Sequence, residues 1–214
     1  MASVALIKDL RGRTGAGMLD CKKALNANDD NVEQAIEWLR TKGITKAAKK
    51  AGRSATDGLV HAYIHGGGKI GVLLEINCET DFVARTDGFK TLCDDIAMHI
   101  AAAEPRFVTR DEVSQDDFDN EKRIQIARVV EEGKPEHIAE KIVSGRMNKW
   151  YEEVVLLDQK FVKDDSKTIA EMLAEQVSVI GENLQIRRFS RFVLGEGLEK
   201  KVDDLAAEVA KLTN

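Results

Sequence analysis

Seven side chains carry the usual chemistry of nucleophiles and soft metal ligands: Cys21, Cys78 and Cys93, and His61, His65, His99 and His137. A reactive thiolate needs a neighbouring base and an electropositive pocket. Lys22 and Lys23 flank Cys21 but point elsewhere on a helix, and Glu79 beside Cys78 works against ionisation. His61 and His65 share a strand face two pleats apart, too far for one metal, and no carboxylate or cysteine completes a ligand set. Gly66-Gly67-Gly68-Lys69 lacks the Ser or Thr of a phosphate-binding loop and reads as a tight turn. No dinucleotide fingerprint is present. These residues point to an interaction protein rather than an enzyme, with no cofactor and no metal expected.

The residue that asks for a role is Phe82. It lies in Cys78-Glu79-Thr80-Asp81-Phe82-Val83-Ala84-Arg85, a polar connection after a strand-like run. Loops run over the surface and carry binding residues disproportionately. Either Phe82 folds back onto the core, or it is a wedge for a partner. Asp81 beside it is placed to receive a hydrogen bond from that partner or to cap its own turn.

The elements around this segment follow from length and pattern. The 214 residues suffice for one or two domains with a real core. Aromatic residues make up 5 %, so that core leans on Leu, Ile, Val and Ala. No apolar run approaches a membrane span. The N-terminus lacks the regions of a secretory signal, and three unpaired thiols fit a reducing cytosol, so a cytoplasmic protein is expected. Charge is uneven. Over residues 1–53, eleven Lys and Arg face six Asp and Glu, a net of about +5 in a chain of net −5, leaving the remainder near −10. A basic end on an acidic body suits nucleic acid or an acidic protein face equally.

Residues 1–43 read as three short helices. Leu6 and Leu10 mark the first, Gly12 to Gly17 interrupts, Met18 to Ala27 resumes, and Val32, Ala35, Ile36 and Leu39 mark the third, ended by Gly43. Residues 44–57 read as a basic linker. From Gly58 the period becomes two, with a hairpin signal at Gly66–Gly68 and a strand through Ile70, Val72, Leu74 and Ile76. Leu73 makes that strand apolar on part of both faces, so something must cover it. A helix capped by Asp87 runs to about Ala103. A charged helical hairpin follows at about 115–153, turning at Gly133-Lys134-Pro135. A helix near Thr168 to Val177 and a strand-like run to Leu194 close a core spanning 58–195. Residues 196–214 carry the stripe Val202, Leu205, Val209 and Leu212, an amphipathic helix in need of cover. The fold class is α+β: a three-helix bundle, a small antiparallel sheet with helices, a hairpin arm and a terminal helix.

Two segments, in this order, resemble the bacterial and organellar translation elongation factor Ts family. They are Leu10-Arg11-Gly12-Arg13-Thr14-Gly15-Ala16-Gly17-Met18-Leu19-Asp20-Cys21-Lys22-Lys23-Ala24-Leu25 and Thr80-Asp81-Phe82-Val83-Ala84. Ile186-Arg187-Arg188-Phe189 and Gly195-Glu196-Gly197-Leu198-Glu199-Lys200 are similar to the end of that family's core and its C-terminal module. The resemblance implies a guanine-nucleotide exchange factor for elongation factor Tu, without covalent chemistry. It implies a ubiquitin-associated-like bundle docking on the GTPase through Lys8, Arg11, Met18 and Leu19, the last standing where Met is familiar. It also implies a core segment, Thr80, Asp81, Phe82 and Val83, inserted beside the Mg²⁺ and phosphate site to dislodge the ion. The terminal helix, through Val202, Leu205, Val209 and Leu212, is implied to reach the nucleotide domain too.

Longer relatives duplicate the core, and this chain has room for one copy. The resemblance therefore implies a homodimer, a 2:2 complex with elongation factor Tu, and a strand surface left open in the monomer. No cysteine follows Cys93, which excludes a disulfide near the C-terminal strands. The hairpin resembles the family's projecting arm. Two rivals remain: a nucleic-acid-binding module using residues 1–53, and a thiol enzyme using Cys21 or Cys78. Basic residues without interleaved aromatics weaken the first, so no direct nucleic-acid or membrane binding is expected.

Overall fold

The computed structural model describes residues 2–134 and 136–198, the side chains of 136–139 excepted. Helices α1 (Val4–Thr14), α2 (Met18–Ala27) and α3 (Val32–Lys50) open it. The Ser3 hydroxyl accepts the Leu6 N–H at 3.2 Å, and Asn31 Oδ1 accepts that of Gln34 at 3.1 Å. Each satisfies a donor that a helix start leaves free. Ile7, Leu10, Cys21, Ala24, Leu25 and Ala35 bury against one another, with Trp38 half-buried beside them.

Strands β1 (Asp57–His65) and β2 (Ile70–Cys78) form a hairpin through Gly66, Gly67 and Gly68, all at positive φ. Near its other end Gly58 sits at φ 142°, where an added Cβ would lie 2.1 Å from the Ile76 carbonyl oxygen. Only glycine fits there. A four-residue turn of helix, α4 (Asp81–Ala84), leads into α5 (Asp87–Ala103). Thr86 caps α5, its hydroxyl accepting the Phe89 N–H at 3.3 Å; Asp87, expected to cap, is the first helical residue. Phe89, Leu92, Cys93, Ile96 and Ile100 pack on Val72, Leu74 and Ile76. Each such apolar side chain, fully buried, contributes about 1.5–3 kcal/mol relative to exposure.

Helices α6 (Gln115–Glu131) and α7 (Glu136–Val154) make the expected hairpin. Its cluster of Val129, Val143, Met147 and Trp150 is distinct from the main core. A small ribbon, β3 (Lys160–Phe161) and β4 (Asp164–Thr168), precedes α8 (Ile169–Ile180). Thr168 and Glu171 form a reciprocal capping box at the start of α8. Strand β5 (Gln185–Val193) then pairs antiparallel with β2, so β2 is central in the order β1-β2-β5. The fold is α+β, as the patterns imply.

Two expected boundaries are displaced. Helix α1 runs through Gly12 to Thr14, and the break falls at Gly15, at φ 65°. Helix α3 does not end at Gly43; one 19-residue helix continues to Lys50. Gly43 is buried without the positive φ of a helix cap. It lies against α8, where an added Cβ would stand 3.7 Å from Ser178 Cβ and 3.8 Å from the Ala174 carbonyl oxygen. Arg40, on the same helix, reaches the Glu171 carboxylate at 2.9 Å. The small residue marks close packing, not an end.

Among the described residues no helix is long and apolar enough to cross a membrane, and no cluster of three His, Cys, Asp or Glu is placed to hold a metal. The stripe Val202, Leu205, Val209 and Leu212 lies outside the described residues.

Candidate partner-binding site

The Phe82 segment is built from the end of β2. Cys78 closes the strand, Glu79 and Thr80 turn, and α4 makes one turn of helix before Arg85. That turn sends Val83 and Ala84 inward and Phe82 outward. Ala84 is buried and Val83 packs on the core, while Phe82 stands 78 % exposed. The ring does not fold back onto the core. Asp81 does not cap its own turn: its Oδ2 accepts a hydrogen bond from Arg85 Nη2 at 2.6 Å, one helical turn on.

The turn is held from the far end of the chain. Glu182, just past α8, accepts the backbone N–H groups of Glu79 and Thr80 on Oε2, both at 3.0 Å. Its Oε1 accepts the Thr80 hydroxyl at 2.7 Å. Glu79 Oε1 accepts the Asn183 N–H at 2.6 Å in return. Cys78 Sγ donates to the Thr80 carbonyl at 3.1 Å. The bonds of Glu182 and Asn183 were not visible in the sequence, where the partners stand 102 to 104 residues apart.

The thiols lack the environment of a nucleophile. All three are buried. Burial pushes Cys93 up to about 12 and also raises Cys21 and Cys78. At Cys78 the second cause is the charge of Glu182, not the neighbouring Glu79. Among the described residues, His61 and His65 are likewise occupied. His61 Nε2 lies 2.8 Å from Asp94 Oδ1, and Tyr63 Oη lies 3.0 Å from His65 Nδ1. A cleft of about 790 Å³ between the bundle and α8 is lined by Trp38, Arg40, Lys42, Lys167 and Glu175 among others. It is far from the Phe82 turn in sequence, and its charged groups are largely paired with one another.

A family described as Elongation factor TS matches residues 20–196. The Elongation factor Ts of Geobacter sulfurreducens is 57 % identical over 208 residues, covering 97 % of this chain and 96 % of its own. That of Desulforamulus reducens is 58 % identical over the same length, with the same coverage. That of Acetivibrio thermocellus is 53 % identical over 214 residues, the whole of both chains. The chain belongs to the elongation factor Ts family. It is therefore a translation elongation factor, a protein of protein biosynthesis.

The matched span contains the Phe82 turn, Glu182 and β5, while Lys8, Arg11, Met18 and Leu19 precede it. Those four side chains are all exposed, on α1 and at the start of α2, with Leu19 at 74 %. Lys8 and Arg11 are three apart on one helix and share a face. A second exposed feature has no counterpart among the motifs. On the sheet face away from α5, Val60 and Ile64 of β1, Leu73 of β2 and Phe192 of β5 are exposed. The register sets Ile64, Gly71 and Phe192 in one row and Ala62, Leu73 and Ser190 in the next. Nothing among the described residues covers Leu73. At the other end of the face Glu75 pairs with Arg188 at 2.7 Å and Arg187 at 3.1 Å.

Proposed function

We propose that this family member is a guanine-nucleotide exchange factor that binds elongation factor Tu in its GDP form, displaces Mg²⁺ and promotes GDP release in the cytoplasm. One observation carries the reading: in a chain of this family, Phe82 stands exposed on a turn pinned to the core on both sides. A rigid ring on a fixed base can be pushed between packed elements of a partner. Thr80, Asp81, Phe82 and Val83 form that insertion. Lys8, Arg11, Met18 and Leu19 dock the bundle, and Val202, Leu205, Val209 and Leu212 supply a further contact.

No covalent step is involved. The factor must bind the nucleotide-free partner better than the GDP-bound one. Linkage then requires GDP to weaken the factor's hold by the same factor that the factor weakens GDP's. Burying one Phe supplies roughly 1.5–3 kcal/mol, so the bundle and the terminal helix must contribute too.

The open sheet face supports a homodimer, and so a 2:2 assembly. Contiguous apolar residues over three strands suit a like surface related by a two-fold axis. The basic segment supports no rival reading. Arg13 pairs with Glu33, Lys46 with Asp20, Arg40 with Glu171 and Arg53 with Glu79, which leaves fewer free cations for phosphates.

The test is release of a fluorescent GDP analogue from elongation factor Tu. Wild type should accelerate it strongly and Phe82→Ala weakly. A wild type without effect overturns the proposal and directs attention to RNA binding by residues 1–53.

A further inference from the structure

We propose that Glu182 is the positioning residue of the Phe82 turn: its carboxylate, delivered by the α8–β5 connection, fixes the direction in which the ring is presented. The inference rests on the exchange reading above for its functional half and on geometry alone for its structural half.

A single helical turn cannot hold itself in water, because its nucleus fixes several dihedrals for one hydrogen bond. Something outside α4 must define it. Three donors converge just ahead of it: the N–H groups of Glu79 and Thr80, and the Thr80 hydroxyl. All three end on Glu182. A carboxylate is an acceptor on both oxygens and so takes all three bonds. A glutamine accepts both N–H groups on its oxygen and turns its NH₂ to the Thr80 hydroxyl oxygen, so it keeps the contacts and removes the charge that strengthens them. The Glu182 charge is not otherwise spent, for the residue enters none of the ion pairs present among the described residues.

The anchor is itself anchored. Asn183 is 3 % exposed, and its Nδ2 donates to the Arg53 carbonyl at 2.8 Å. Lys50, the last residue of α3, donates to the Gly181 carbonyl. Glu182 is thus clamped between the end of α3 and the end of α8. From there it reaches the turn that carries the ring, without touching the ring.

The experiment pairs amide hydrogen exchange on the free protein with GDP-analogue release, for wild type, Glu182→Gln, Phe82→Ala and the double variant. Glu182→Gln keeps the shape and should leave the melting transition cooperative. It should speed exchange of the Glu79 and Thr80 amides about tenfold and weaken acceleration of GDP release about tenfold, the scale of losing a charged hydrogen-bond acceptor. In the Phe82→Ala background it should cost less than about twofold more, since a residue acting through the ring has nothing left to position. Glu182→Asp, which keeps the charge and shortens the reach, should behave like Glu182→Gln and replaces it if that variant aggregates. Unchanged amide protection overturns the proposal. So do fully additive losses in release, the signature of general destabilisation or direct contact. A wild type that does not accelerate release overturns the exchange reading, while the amide data still judge the clasp.

Discussion

Two phenylalanines stand almost equally bare on this molecule, and their settings differ. Phe82, 78 % exposed, projects alone from one turn of helix, its neighbours Val83 and Ala84 turned inward. Phe192, 68 % exposed, lies in a sheet face beside Ile64 and Leu73. A lone ring on a clamped base is a shape for insertion into a groove. A ring within a three-stranded apolar face is a shape for matching another broad surface. The same residue type therefore serves two kinds of contact, and the backbone beneath decides which.

The largest effect should come from removing the lone ring. Phe82→Ala is expected to lower acceleration of GDP release about 10- to 100-fold, the equivalent of one buried Phe. Its melting temperature and its mass in solution should stay at wild-type values, because the ring supports nothing in its own chain. A variant that melts several degrees lower would break the comparison, placing the ring in the fold after all.

The opposite pattern is expected on the sheet. Leu73→Asp or Phe192→Asp puts a charge into the apolar face, and sedimentation should show self-association weakened at least about tenfold. Release by one engaged copy should suffer less than in Phe82→Ala. If the sheet variants remain wild type in mass, the face is not where two copies meet.

A change inside the buried core should not discriminate between the two rings. His99 is buried between α5 and the β3 ribbon; its Nδ1 accepts the Val162 N–H at 3.3 Å, so its proton sits on Nε2, 2.9 Å from Gln159 Oε1. Burial lowers its pKa, with the Gln159 bond opposing. The unfolded chain therefore takes up this proton first as pH falls below about 6.5. Stability should be full above that point and decline beneath it, as pH falls toward the lowered pKa of the folded chain. Denaturant titrations of wild type and His99→Gln check this: the slope should flatten in the variant. A stability that rises on acidification would refute the assignment.

How much of this could be read beforehand follows the range of the interactions. The hairpin at Gly66–Gly68, the α6–α7 arm and the apolar stripe of α5 are written in neighbouring residues, and they form where the patterns put them. The Phe82 segment was legible as a motif, but its direction was not. That direction depends on Glu182, whose meaning appears only when β5 pairs with β2. Gly43 is the clearest misreading. A glycine after an apolar-periodic stretch satisfies the local rule for a helix end, and only α8 reveals why it is small.

Gly43 also gives the smallest and sharpest prediction. Its backbone is not in the left-handed region, and an added Cβ would meet Ser178 Cβ and the Ala174 oxygen at ordinary contact distance. Gly43→Ala should therefore stabilise the protein by about 0.5–1 kcal/mol, through a helix that loses less freedom on folding. Had the residue been a helix cap, the same change would have destabilised it. Thermal unfolding of this one variant separates the two accounts by sign. It bears on the comparison as well, because α3 continues to the lysine that holds Gly181 beside Glu182, under Phe82 and remote from Phe192. A stiffer α3 that altered GDP release and left self-association unchanged would tie the bundle to the lone ring alone.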